Sequence, residues 1–316
     1  MDTTGQTVSK VTPRLLAELK GLHFATKKIA EAGIGGSYKS AFRGRGVEFE
    51  ELREYQPGDD IRTIDWKVTA RSRKPYIKRF HEEREINVVI AVDISGSTTT
   101  GTGTMIRRQL IAQVGAALTL IALNNNDRVG LATFAKDVIS YYAPEKKRSA
   151  VWRVLHHVLA SNAQRSAQTN LGGVFAFLSR VLKQRSVIFV ISDFLNSSFE
   201  KELATLSKRH DVTALIVSDP ADYALPPVGL MSVLNPETGE ITLIDTTSPK
   251  EQKEFSAQAI VRRSELRSIM LKNRISALEL DTSKPFVPVL RSFFKARSTH
   301  RLRTLSITDQ REASHE

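Results

Sequence analysis

The sequence predicts a doubly wound α/β fold, with a mostly parallel sheet and one antiparallel edge strand. Three observations carry that expectation. Short continuous apolar runs at 88–92 and 186–191 read as strands buried on both faces. They alternate with helical segments at 105–123, 171–182 and 199–208, the pattern of βα units feeding one sheet. Residues 129–134 and 138–142 are separated by a short turn, which makes that pair antiparallel.

Upstream of this region, Leu15, Leu16, Leu19, Leu22 and Ile29 recur at helical spacing behind Pro13, predicting a helix over 13–32. Gly33, Gly35 and Gly36 then stop it, so 33–40 is expected to be a loop. Residues 37–85 are dense in Gly, Arg and acids with short alternating runs, a small strand-rich subdomain with Trp66 in its core. Within the α/β region, 148–159 is a helix with Val151, Leu155 and Val158 inward, and 212–217 is a strand. Beyond Pro220, apolar runs at 228–234 and 241–244 flank a turn-rich connector and predict a hairpin. A charged helix over 251–274 points Phe255, Ala259, Leu266, Ile269 and Met270 inward. A short strand at 278–280, a closing helix at 287–294 and a disordered tail from Thr304 complete the chain. The domains are therefore expected to be 1–86 (helix and β-rich subdomain), 87–300 (α/β domain) and 301–316 (disordered tail).

Composition narrows the function. With 41% hydrophobic and 25% charged residues the chain is ordinary globular material. It has no cysteine, which removes disulfides, thiolate metal sites and a Cys nucleophile and suits a reducing compartment. No stretch is long and apolar enough for a membrane span, and residues 1–20 lack the apolar core of a signal peptide, so the cytoplasm is expected. The net charge of +12 invites a nucleic-acid reading. That excess is spread along the chain, however, and aromatic interleaving for base stacking is absent.

The chemistry concentrates where strands end. Asp93, Ser95 and Ser97 stand at alternate positions on the turn after the 88–92 strand, and a carboxylate with two hydroxyls forms a hard oxygen set suited to Mg²⁺ (or Mn²⁺). Thr169, before a helix, and Asp193, after another apolar strand, compete for the same sheet edge. Helix capping is the plainer explanation for each alone. Two carboxylates at the ends of buried strands need a common reason, and a metal site supplies one. Hydroxyls are neutral, so such a cation is incompletely neutralised, and a Glu or Asp from another protein could complete its shell.

Asp93, Ser95, Ser97, Thr169 and Asp193 resemble the metal-ion-dependent adhesion site of von Willebrand factor A-like domains. Upstream, Gly44-Arg45-Gly46-Val47-Glu48-Phe49, Arg53-Glu54-Tyr55-Gln56-Pro57-Gly58-Asp59-Asp60, Ile61-Arg62-Thr63-Ile64-Asp65-Trp66 and Ala70-Arg71 sharpen the likeness. Together they resemble a bacterial family of unknown function, often encoded beside MoxR-type AAA+ ATPases, over about 36–295. That resemblance implies a von Willebrand A-like fold and a chaperone-like adaptor working with a MoxR-type ATPase. Many members of the family resemble membrane-anchored proteins with amino-terminal spans; no such span is expected here, so an envelope location is not carried over. The loop 98–104 is unusually rich in Thr and Gly, which bears on the rim of the site.

Other readings have less behind them. Arg53, Asp59, Asp60, Arg62 and Asp65 form either a partner-binding surface or salt-bridged scaffolding. Nucleophile-elbow and His-Glu-x-x-His motifs are missing, and the Gly36 to Lys39 spacing does not make a phosphate-binding loop. The expectation is a non-enzymatic, Mg²⁺-dependent protein-interaction adaptor. A nucleic-acid-binding protein and a Mg²⁺-dependent hydrolase using Asp93 and Asp193 are the alternatives.

Overall fold

The structure, a computed structural model, describes residues 34–42, 48–61, 64–72, 74–81, 85–147, 149–160, 169–195, 198–234 and 241–312. The helix expected over 13–32 and Arg62 lie outside the described residues. Two parts can be distinguished. Strands β1 (Glu48–Glu54) and β2 (Tyr76–His81) pair antiparallel beside the short helix α2 (Trp66–Ser72). The rest is built around a six-stranded sheet.

That sheet contains β3 (Asn87–Asp93), β4 (Arg128–Phe134), β5 (Val138–Glu145), β6 (Ser186–Ser192), β7 (Asp211–Ser218) and β10 (Ser276–Asp281). Its order is β10-β7-β6-β3-β4-β5, and all neighbours are parallel except β4 and β5. This is the architecture the sequence predicts, antiparallel edge included. From β3 the chain moves outward through β4 and β5, then returns to lay β6 on the other side of β3. The strand order therefore reverses at β3, the place where open α/β sheets gather ligands.

Alternation along the buried strands divides the core into two layers. Val88, Ile90 and Val92 face α1 (Ile34–Phe42), α3 (Arg107–Asn124), α4 (Ser149–Ala160) and α8 (Phe286–Glu312). Val89 and Ala91 face α5 (Leu171–Val181), α6 (Glu200–Arg209) and the end of α7 (Pro249–Lys272). Of the expected α7 stripe, Ala259 and Met270 are buried, and Phe255, Leu266 and Ile269 are half-buried. Strands β8 (Leu230–Leu234) and β9 (Ile241–Asp245) form the expected hairpin apart from the main sheet.

Three expectations need correction. The segment 33–40 is not a loop: Ile34–Phe42 is helical despite Gly35 and Gly36, and Ile34, Tyr38, Ala41 and Phe42 are buried in the main core. Each helical glycine costs about 1 kcal/mol, and burying four side chains on one face outweighs that. Residues before 86 are thus not all in a separate subdomain. Trp66 is 66% exposed rather than core, because among the described residues the two-stranded sheet has no second layer to cover it. No disordered tail begins at Thr304, since α8 continues to Glu312 through a stretch without Gly or Pro.

Helix α1 is held by aromatic packing and one polar anchor. Phe42 meets Phe189 of β6 and Phe294 of α8 edge-on, with centroids 5.4 and 5.8 Å apart. Tyr38 stacks obliquely on Phe42 and donates its hydroxyl proton to Asp127 Oδ2 at 3.1 Å. Asp127 also accepts from the Ile86 N–H at 3.1 Å, so a single carboxylate ties α1 to the entry of β3. Truncating Phe294 to Ala should destabilise the protein by about 3–5 kcal/mol. Hydrogen exchange should speed up first in α1, which chemical denaturation followed by exchange mass spectrometry can measure.

Candidate metal centre

The carboxyl edge of β3 and β6 brings the expected residues together. Pairing of Val92 with Ile191 sets Asp93 next to Ser192, whose hydroxyl donates to Asp93 Oδ2 at 2.7 Å. Asp93, Ser95, Ser97 and Thr169 are all buried. The Ser95 N–H donates to Asp93 Oδ1 at 2.9 Å, and the Ser95 and Ser97 hydroxyls lie 3.0 Å apart. Thr169 Oγ1 is 3.5 Å from Asp93 Oδ2, at the outer limit of a hydrogen bond. Asp193 is half-buried, and its Oδ1 accepts from the Leu195 N–H at 3.2 Å.

Helix capping does not account for this cluster. At α5 the cap is Asn170, whose side chain accepts from Gly173 N at 2.9 Å, which leaves Thr169 without that duty. Ser95 precedes a 3-10 turn (Gly96–Thr99) and makes no side-chain capping bond. Asp193 Oδ2 is shut off from solvent, and among the described residues it has no hydrogen-bond partner. An orphaned, buried carboxylate oxygen is costly unless something positive meets it.

The electrostatics agree. Burial first, and the neighbouring Asp193 second, push the Asp93 carboxyl up to about 7, against hydrogen bonds from Ser192 and Ser95. Burial also raises Asp193, while the Ser97 hydroxyl, the Leu195 N–H and the Arg107 charge partly offset it. Phe194 follows at φ 54°, a left-handed conformation unusual for an aromatic residue. Packing against Phe199 at 5.8 Å and a bond from Phe194 N to Ser192 Oγ at 3.2 Å hold it there.

The donor set fits a small hard cation. Neighbouring ligands of an octahedral Mg²⁺ at 2.0–2.1 Å are about 3.0 Å apart, whereas the longer bonds of Ca²⁺ would need about 3.3–3.7 Å. The Ser95 and Ser97 hydroxyls, 3.0 Å apart in a hydrogen bond, are also close enough to serve as neighbouring ligands of the smaller ion. Among the described residues no group of three or more His, Cys, Asp or Glu side chains could hold a metal, so a cation here would depend on hydroxyls and two carboxylates.

Several contributors were not expected from sequence. Ser192 is the direct partner of Asp93, and only the β3 to β6 register reveals it. Arg107 is buried at the start of α3, reaches the Ser97 carbonyl at 3.3 Å and pairs with Asp222. The Thr-rich loop is committed elsewhere: Thr98, Thr99 and Thr100 hydroxyls donate to the carbonyls of Ser95, Gly96 and Ser97 at 2.7–2.8 Å. Asp219, at the end of β7, accepts from Thr102 N at 2.8 Å and Thr282 Oγ1 at 2.6 Å, as well as from Thr102 Oγ1. Gly103 sits so close to this junction that a Cβ would stand 2.7 Å from the Thr282 carbonyl carbon.

Of the other expected surface, Arg53 pairs with Asp59 at 2.7 Å, and Asp59 also accepts from Gln56 N at 2.8 Å. Asp65 accepts from Lys67 N at 3.0 Å at the start of α2. Asp60 is exposed. What is visible of Arg53, Asp59 and Asp65 is local scaffolding of a turn and a helix.

A family model described as a protein of unknown function, DUF58, matches residues 51–265. The chain belongs to the DUF58 family. This DUF58 chain is 28% identical over 288 residues to the uncharacterized protein Rv1480 of Mycobacterium tuberculosis, covering 90% of each. The uncharacterized protein Mb1516 of Mycobacterium bovis matches to the same extent. Among solved structures, the conserved hypothetical protein BatB from Bacteroides thetaiotaomicron is 16% identical, with TM-score 0.43, covering 68% of this chain and 99% of its own. The VWA domain of SpRpn10 is 14% identical, with TM-score 0.35, covering 66% and 94% respectively.

Asp219 gives the edge a measurable acid response. Burial opposes its charge, but bonds from Thr102, Thr282 and Ala221 N hold its carboxyl at about 2, below the ordinary 3.8. A depressed folded-state value contributes stability above the unfolded value, here about 2 kcal/mol, and that contribution is lost as pH falls from about 4 through 2. Asp219→Asn should therefore be less stable than the parent at pH 6, with the gap shrinking toward pH 2. Urea midpoints across that range measure it.

Proposed function

We propose that this DUF58 chain is a metal-dependent protein-interaction adaptor that uses Mg²⁺ (or Mn²⁺) to engage an acidic side chain of a partner. The observation that carries the reading is the buried, unpartnered Asp193 Oδ2 beside Asp93 and a pair of hydroxyls at octahedral ligand spacing. Asp93, Ser95, Ser97, Thr169 and Asp193 would hold the cation, directly or through water. The cation would supply a positive charge that its mostly neutral ligands leave partly unbalanced, and the partner's carboxylate would complete its shell.

The remainder of the proposal comes from the family resemblance. A MoxR-type AAA+ ATPase is the associate, in a chaperone-like maturation or assembly system, and the protein has no catalytic step of its own. The cytoplasm is part of the same proposal; no described helix is long and apolar enough to cross a membrane.

Calorimetric titration of the purified chain with Mg²⁺ should show one site, and Asp193→Asn should lose it while keeping its fold by circular dichroism. Affinity capture from the native cell should recover an AAA+ ATPase in Mg²⁺ but not in EDTA or with Asp193→Asn. A partner set indifferent to both changes would sink the reading.

A further inference from the structure

The opposite edge of the sheet carries a separate feature. β6, β7 and β10 are parallel neighbours, with Val187 paired to Asp211 and Ser276 to Thr213, so their amino-terminal turns lie side by side. Those turns bring Lys183 and Arg185, then Lys208 and Arg209, then Arg274, all exposed. Arg185 stands two residues before Val187, Arg209 two before Asp211 and Arg274 two before Ser276, so the cations precede three neighbouring strands. His210 reports the crowding independently: burial lowers it, and so do the charges of Arg209 and Arg185.

Some exposed cations pair with acids, as Lys74 does with Glu54, Arg128 and Lys146 with Glu85, Arg263 with Glu279, and Lys272 of the third turn with Glu200. Among the described residues, Lys183, Arg185, Lys208, Arg209 and Arg274 have no acidic partner. Asp211, the one carboxylate in the three turns, is taken by Arg297, whose Nη2 lies 2.6 Å from Oδ2. Helix dipoles do not explain the cluster. Only Lys208 and Arg209 lie in a last helical turn, where a cation offsets the carbonyl ends; Lys183, Arg185 and Arg274 come after their helices have ended.

We propose that this edge is a docking face for an acidic helix of a partner protein. Adjacent strands are about 4.8 Å apart, close to the ~5–6 Å between the Cβ atoms of residues at i and i+4 on a helix. A row of glutamates can thus meet cations on successive strands. Turns 182–186, 207–211 and 272–276 contain no Phe, Tyr or Trp on which bases could stack, which favours a protein acid over a nucleic acid. The face is independent of the candidate metal centre, which lies at the other end of the same strands.

The test uses the full chain in EDTA at low salt, with a labelled synthetic helical peptide bearing glutamates at i, i+4 spacing, read by fluorescence anisotropy. Arg185→Glu with Arg209→Glu should weaken binding by about tenfold or more. Lys183→Glu with Lys208→Glu is a second variant should the first lose its thermal transition. The charge-matched control, Arg262→Glu with Arg267→Glu on the exposed face of α7, should stay within about twofold of the parent. Equal loss in the control and the edge variants would overturn the proposal, since net charge alone would then account for binding. Tighter binding of a DNA duplex than of the peptide, lost in the edge variants, would also overturn it.

Discussion

The parallel register of β3 against β6 is the constraint on which the candidate site depends. It places Asp93 beside Ser192, 99 positions apart in the sequence. A slip of one residue would turn Ser192 to the other face of the sheet. Asp93 would then lose the short bond to Oδ2, leaving that buried oxygen only the long contact from Thr169. The apolar residues that precede both ends, Val88 to Val92 and Val187 to Ile191, are buried in two alternating layers, so packing enforces the register that the site needs. Core and site are specified by the same pairing.

The loops above that edge are fastened from outside the site. Asp219 and Thr282, at the ends of β7 and β10, grip the loop after Ser97, while Arg107 links the Ser97 carbonyl to Asp222. These contacts satisfy the loop hydroxyls and carbonyls locally, so the side chains of Ser95 and Ser97 need not do so. The two serine hydroxyls bond each other instead, an arrangement a cation could replace without moving the backbone. A strained residue, Phe194, completes the rim, fixed by an aromatic neighbour that belongs to the core.

Much of this was legible in the sequence because the pattern is local. Continuous apolar strands, helices of period near 3.6 and a short β4 to β5 turn define the sheet without tertiary information. Asp93, Ser95, Ser97, Thr169 and Asp193 could be chosen because each ends or follows a strand or precedes a helix. Ser192 could not, since its role depends on which strand lies beside β6. Arg107 looks no different in sequence from Arg108. Asp219 was more accessible: Asp219-Pro220-Ala221-Asp222 has the N-cap, proline and capping-box order of a helical start, and the structure makes both reciprocal bonds. Helix α1 was hidden by its glycines, because a tertiary burial term decided against local propensity.

Opposite charge arrangements occupy the two ends of the sheet, buried carboxylates at one and exposed cations at the other. β6 has seven residues, about 20 Å at ~3.3 Å per residue, more than twice the ~8 Å screening length at physiological salt. Coulomb coupling between the ends is therefore weak, and binding at one neither helps nor hinders the other through the solvent field. A mechanical route remains through β6 itself, which runs from the cationic turn to Ser192 and is buried at every position. Close-packed strands resist small continuous deformation, so the sheet serves better as a rigid bar than as a relay. The two acidic ligands proposed above, one for a bound cation and one for the basic turns, would then be held at a fixed separation by the same short strand.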